Sequence, residues 1–148
     1  MNAYIHAPIE RVWAFLIDYE GYARIPAVAR ARVLRRGDRD AAGVGAVREV
    51  TVLGSTFEEE ILAFEPPLLL TYRITKSRPL RIDHELGRVD LVPRGEGTEV
   101  SWTTTFTLPV PLVGGTLAKG LRVVVQHQFN EILLWLKDDL ERGTIERG

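Results

Sequence analysis

The sequence contains no cysteine. That absence removes disulfides, thiolate nucleophiles, iron–sulfur ligation and thiolate zinc sites together, and it leaves the redox compartment undetermined. Histidine is scarce as well. His6, His84 and His127 are scattered along the chain, and without cysteine they make no recognisable metal site, so neither a metal nor another cofactor is expected. Charge of one sign is also missing: 19 basic residues face 20 acidic ones, for a net charge of −1. Such a balance lacks the cationic field that nucleic-acid binding needs. No run of 18 apolar residues occurs, so no integral membrane segment is expected. The opening residues, MNAYIHAPIERVW, have no basic stretch followed by an apolar run and therefore do not read as a secretory signal. Lysine is nearly absent, with 16 of the 19 basic residues being arginine, a skew that reads as the codon bias of a GC-rich genome. What remains is 148 residues, 45% hydrophobic and 26% charged. That is the composition of a single cytoplasmic domain spanning 1–148, with enough chain to bury a core and hold a cavity.

The order of elements follows from periodicity. Tyr4-Ile5 ends a short strand. Pro8 is placed to start a helix, in which Ile9, Val12, Trp13, Leu16 and Ile17 recur at helical spacing. A second short helix is expected around Asp18–Ile25, capped by Asp18 and ended by Pro26. Six strand-like stretches follow: Val28–Arg36, Val44–Leu53, Ser55–Phe64, Leu68–Lys76, Leu80–Val92 and Glu99–Leu108. The turns between them are tight, which makes the sheet an antiparallel meander. Finally Thr116–Arg142 carries Leu117, Leu121, Val124, Val125, Gln128, Ile132, Trp135, Leu136 and Asp139 along one stripe. A stripe that long needs the face of a sheet to lie on. The fold class is therefore α+β: a curved antiparallel sheet of six or seven strands wrapped around a long C-terminal helix, with two short helices after the first strand.

Several motifs sit on this frame. Ala7-Pro8-x-x-x-Val12-Trp13 opens the first helix, Glu60-Ile61 precedes Phe64-Glu65-Pro66-Pro67, and Pro79-Leu80, Asp83-His84 and Gly87-Arg88-Val89 precede Gly97-Thr98-Glu99-Val100-Ser101-Trp102. In this order they resemble the polyketide cyclase/dehydrase branch of the START-like, helix-grip superfamily, particularly its small bacterial members. The resemblance covers essentially the whole chain, although only five residues precede His6, fewer than that family's first strand usually has. It implies a hydrophobic cavity between the concave face of the sheet and the C-terminal helix. It does not imply a reaction, because members include polyketide cyclases, lipid and hormone carriers, ubiquinone chaperones and chaperone-ATPase activators.

Strand alternation names the residues that would line such a cavity. Val100, Trp102, Thr104 and Phe106 share one face of the last strand, and Leu70, Tyr72 and Ile74 form a similar set. In Leu80–Val92 the apolar set Gly87, Val89 and Leu91 carries Glu85 and Asp83 to the inner face and His84 outward, unless a bulge intervenes and inverts the first half. An inward Glu60 would need Arg48 or Arg73 as a partner. Leu121, Val124 and Gln128 face the cavity from the long helix, Gln128 being a polar group in an apolar stripe. Trp13 belongs to the core. The arginines Arg24, Arg30, Arg32, Arg35, Arg36 and Arg39 read as solvated surface. No phosphate loop or nucleophile elbow is present.

Three functions compete. A binding protein would hold a lipid- or polyketide-like molecule among Tyr72, Ile74, Glu60, Glu85, Trp102, Thr104, Phe106, Leu121, Val124 and Gln128. A cyclase or dehydratase would use His84, Asp83 and Tyr72 as acid and base groups. A chaperone-activator-like interaction domain, or a homodimer, would use Val123, Leu133 and Leu134, which fall off the main stripe.

Overall fold

Seven strands form one antiparallel sheet in the order β1-β7-β6-β5-β4-β3-β2. They are β1 (Asn2–Ile5), β2 (Val28–Arg35), β3 (Val47–Val52), β4 (Ser55–Glu65), β5 (Leu69–Arg78), β6 (Asp83–Arg94) and β7 (Gly97–Thr107). Between β1 and β2 lie helix α1 (Ile9–Ile17) and a 3-10 helix (Glu20–Arg24), and the chain closes with α2 (Gly115–Arg147). The computed structural model describes residues 1–79, 81–107 and 115–147, with side chains described except at 84, 115–118, 121 and 144–147. The chain thus begins on one edge of the sheet, crosses to the other through two short helices, and returns strand by strand. That is the helix-grip arrangement expected from the run of tight turns.

The crossing is anchored by amphipathicity. Val12, Trp13, Phe15 and Leu16 are the buried residues of α1, spaced to fall on one helical face. Trp13 lies in the core against Phe64, with ring centroids 5.3 Å apart, and Phe15 reaches Trp135 of α2 at 6.2 Å. The Asp18 carboxylate accepts a hydrogen bond from the Gly21 N–H at 3.2 Å, at the start of the 3-10 helix. Thr98, fully buried, donates to the Ala7 carbonyl at 2.8 Å and ties β7 to the junction of β1 and α1.

Several element boundaries differ from the expected ones by a few residues. The third strand begins at Val47 rather than Val44, because residues 36–46 close on themselves. Gly37 N–H donates to Ala41 O at 3.0 Å, Asp38 N–H to Val44 O at 3.1 Å and Gly43 N–H to Asp40 O at 2.9 Å. Helix α2 runs to Arg147 instead of Arg142, passing through Gly143.

Bulges shape the sheet. Register shifts fall between Glu58 and Glu59 and between Ile61 and Ala63 in the β4–β5 pairing, and between His84 and Leu86 in β6–β7. Each bends its strand and adds local twist, so the sheet curves over its inner face. Ile5, Ile61, Leu70, Tyr72, Leu91, Val12 and Val100 are the largest fully buried apolar side chains. Burying such a side chain is worth about 1.5–3 kcal/mol relative to leaving it exposed.

Helix α2 is held at its C-terminal half. Leu133, Leu136 and Leu140 are buried, the Lys137 ammonium donates to the Tyr4 carbonyl at 2.7 Å, and the Glu141 carboxylate accepts from the His6 N–H at 2.9 Å. Leu133 is therefore not part of an outer patch with Val123 and Leu134: the buried face is wider than the predicted stripe and turns toward β1. Val123 and Leu134 are exposed. No described helix is long and apolar enough to cross a membrane.

Candidate functional site

Between the inner face of the sheet, α1, the 3-10 helix and α2 lies a cavity of about 440 Å³. This is the size range of small-molecule sites. Its lining is overwhelmingly apolar. Val28, Val50, Val52, Phe57, Leu70, Ile74 and Val89 contribute from the strands, and Val125, Phe129, Ile132 and Leu136 from α2. Leu53 and Val124, both about half exposed, also line it. Leu53 and Gly54 form the β3–β4 turn, and both have positive φ (53° and 74°), the geometry that matches the twist of a two-residue hairpin.

One region of the wall is polar, and strand alternation explains it. Arg48 lies on the same face of β3 as Ala46 and Val50, and its cross-strand partner is Glu59, on the face of β4 that carries Phe57 and Ile61. The Arg48 Nε donates to Glu59 Oε2 at 2.6 Å, with both side chains largely buried. Arg48 Nη1 donates to the Tyr22 hydroxyl at 3.1 Å. The guanidinium is also ringed by Tyr19, Tyr72 and Tyr22, with centroids at 4.7, 4.9 and 5.3 Å. A desolvated cation over aromatic faces gains from the ring quadrupoles. Tyr19 is fixed by donating to the Ala42 carbonyl at 2.6 Å, and Tyr22 by donating to the Leu16 carbonyl.

Burial dominates the titration of this cluster. It raises the pKa of Tyr19, Tyr22 and Tyr72 above the usual phenol value, and nearby Glu59 adds to that while Arg48 opposes it. Burial works to lower the Arg48 pKa, but Glu59 and the tyrosines outweigh it and hold it above the ordinary guanidinium value. The tyrosines are therefore neutral and Arg48 charged throughout the physiological range. Two of the five Arg48 N–H groups are engaged by described residues, on a side chain that lines the cavity.

Tyr72 is central to the packing. Its hydroxyl accepts from Trp102 Nε1 at 3.0 Å, and Trp102 meets the Phe129 ring edge-on at 4.7 Å. Opposite Tyr72 in the β5–β6 register stands Gly87. A Cβ there would lie 2.2 Å from the Tyr72 ring, so only glycine leaves the ring room to lie across the strand.

Of the residues expected to line the cavity, Tyr72, Ile74, Trp102, Thr104, Phe106, Val124 and Gln128 do so. Glu60, Glu85 and Asp83 do not. Glu60 points to the other face and pairs with Arg35 at 3.5 Å; the inward carboxylate is its neighbour Glu59. Asp83 and Glu85 are exposed. The reason is the bulge between His84 and Leu86, which leaves Glu85 unpaired and shifts the parity of the start of β6. With that shift the His84 position is opposite Phe106 and Asp83 is opposite Thr107. The side chains of His84 and Leu121 lie outside the described residues. From the sequence, Arg48 entered only as a partner for an inward Glu60, and Glu59, Tyr22, Phe57 and Phe129 were not singled out. The signal for the first two was present: counting in steps of two, Arg48 follows Ala46 and precedes Val50, and Glu59 separates Phe57 from Ile61. Among the described residues, no group of three or more His, Asp or Glu is placed to hold a metal ion.

The comparisons with known proteins agree with this architecture. A family described as polyketide cyclase / dehydrase and lipid transport matches residues 1–141. Among solved structures, the Zhui aromatase/cyclase of a Streptomyces species superposes with a TM-score of 0.80 at 22% identity, covering 96% of this chain and 92% of that one. The TTHA0849 protein of Thermus thermophilus gives 0.78 at 24% identity, covering 97% and 96%. A START superfamily protein of Mycobacterium smegmatis gives 0.67 at 17%, covering 96% and 95%. At these identities the likeness is one of fold. No curated protein matches the sequence.

Proposed function

The chain belongs to the polyketide cyclase / dehydrase and lipid transport family, and on that premise we propose that it binds a hydrophobic small molecule, lipid- or polyketide-like, in the cavity between sheet and α2. The observation that carries this reading is the cavity's two-part wall. An apolar enclosure of about 440 Å³ would hold a ring system or chain, and a single fixed cluster of Arg48, Tyr22 and Tyr72 would orient one oxygen-bearing end of it. Few polar groups on an apolar wall are what orient a ligand in a small-molecule site.

Binding is favoured over cyclase or dehydratase chemistry by the placement of the described acid–base candidates, Asp83 and Tyr72. Asp83 is exposed and away from the lining. Tyr72 is made a weaker acid by burial. The one described carboxylate on the lining, Glu59, is bound to Arg48, so no described pair is free to pass a proton to and from a substrate. The chaperone-activator reading loses part of its patch with the burial of Leu133.

The test is a neutral fluorescent probe, N-phenyl-1-naphthylamine, titrated into the protein and into Thr104→Trp, which places an indole in the cavity. The wild type is expected to bind it and to be stabilised by about 2.7 kcal/mol at a hundredfold excess over Kd. Thr104→Trp, folded as judged by its melting transition, should not bind. Equal binding by both proteins would place the ligand elsewhere and overturn the reading.

A further inference from the structure

Resting on the reading that the cavity holds a small molecule, we propose that Glu59 sets the ligand's charge class: by cancelling the Arg48 charge inside the cavity it makes the site take neutral molecules with an alcohol, phenol or carbonyl oxygen and turn away carboxylates.

A buried arginine on an apolar wall is in principle an anion receptor, because its guanidinium forks onto carboxylate oxygens. Here that role is already filled. Arg48 and Glu59 are the only charged residues among those described in the lining, and they are 2.6 Å apart. Their sum is zero. A carboxylate brought into the cavity would give up its hydration, a cost of several kcal/mol for an ion, against a pair offering no net positive charge and an existing carboxylate that repels it. A neutral oxygen faces neither cost. It can accept from the Arg48 N–H groups that Glu59 and Tyr22 leave unused, and no charge is desolvated.

No other described group supplies the missing positive charge. Tyr19, Tyr22 and Tyr72 surround Arg48 from the 3-10 region and from β5, and burial keeps them protonated. Asp18 and Asp40 act on these tyrosines from further off and add only negative potential. Helix α2 brings Gln128 and Phe129 to the lining, both uncharged. Of the other cations of β2–β5, Arg32 and Arg78 engage Glu49, Arg35 engages Glu60 and Lys76 engages Glu58, all on the opposite sheet face, while Arg30 and Arg73 are exposed and off the lining.

The experiment compares decanol with decanoate, matched in chain length, by calorimetry on the whole protein between about pH 5.5 and about pH 8.5, above the ordinary carboxyl range. Decanol should bind with an affinity independent of pH. Decanoate should enter only as the neutral acid, so its affinity should fall about tenfold for each pH unit. In Glu59→Gln the Arg48 charge is uncompensated, and decanoate should bind at least about tenfold tighter than to the wild type near neutral pH. If that variant does not fold, the wild-type pH profiles decide alone. Decanoate binding as tightly as decanol, without pH dependence, would overturn the proposal while leaving the cavity as the binding site. Failure of both ligands to bind at any pH would overturn the site and the proposal together.

Discussion

Arg48 and Glu49 are neighbours in the chain, yet they lie on opposite faces of β3 and belong to two different kinds of ion pair. On the inner face, Arg48 and Glu59 are both largely buried, and three tyrosine rings surround the guanidinium. On the outer face, Glu49 is covered by Arg32 at 2.7 Å and Arg78 at 3.6 Å, whose side chains are 46% and 68% exposed. Glu49 also stands directly opposite Glu58 in the β3–β4 register, an arrangement of like charges that is unfavourable alone. Glu49 itself is buried, but the outer arginines, together with Lys76 at 3.4 Å from Glu58, answer that repulsion from the solvent side, with their own side chains exposed. The difference lies in what surrounds each pair. In the outer pairs the cations stay in water, which screens them, and two of them share one carboxylate, so each pair matters less. The inner pair has no water to fall back on, so each partner needs the other.

Three tests break this comparison, from the largest effect to the smallest. Arg48→Met removes one partner and leaves Glu59 buried without a cation, which should cost about 3–5 kcal/mol in urea denaturation. Adding Glu59→Leu should restore most of that loss, since an apolar pair of similar volume suits the same walls. If the single and double variants are equally unstable, the pair is not acting as a buried couple.

Gly87→Ala probes the inner face without touching charge. The new methyl would meet the Tyr72 ring at 2.2 Å, and relieving that overlap should cost about 1–3 kcal/mol. Displacement of Tyr72 should also break its bond with Trp102 and shift the tryptophan emission. An unchanged spectrum would show that the ring has room to spare.

Glu49→Gln is the smallest. Hydrogen bonding from Arg32 holds the Glu49 pKa below the ordinary glutamate value, against burial and with help from Arg78 and Arg30. A group with a lowered folded-state pKa stabilises the fold above its unfolded pKa, and that contribution is lost as pH falls through the folded value. The variant should therefore be slightly less stable than the wild type at neutral pH. The gap should close as the solution is acidified below the glutamate range. A gap that widens on acidification would reverse the sign of this account.

Much of the architecture was legible because two periodicities dominate it. Alternation over Val100, Trp102, Thr104 and Phe106, and over Leu70, Tyr72 and Ile74, identifies the inner face, and tight turns leave a meander as the topology. The site was less legible, for two physical reasons. A bulge adds one residue to a strand without marking the sequence; the one between His84 and Leu86 accounts for Asp83 and Glu85 lying outside the cavity. Three consecutive glutamates, Glu58 to Glu60, also leave open which carboxylate faces inward unless the count is anchored on a neighbouring apolar residue. In β4, counting back by two from Ile61 reaches Glu59 and not Glu60, and in β3 the same count reaches Arg48. The signal was a pair of opposite charges on matching apolar faces of adjacent strands. The placement of Phe129 and Leu133 needed the rotation of α2 about its axis, which depends on packing against β1 and β7 and not on the helix alone.

The most direct measurement is a nitrogen–proton spectrum of the side-chain N–H groups during titration with decanol. The account predicts that the Trp102 Nε1 and Arg48 Nε signals shift together and saturate, while the Nε signals of Arg32 and Arg88, on the outer face and bound to Glu49 and Asp90, stay in place. Saturable shifts at Arg32 or Arg88 with Trp102 and Arg48 unmoved would contradict it.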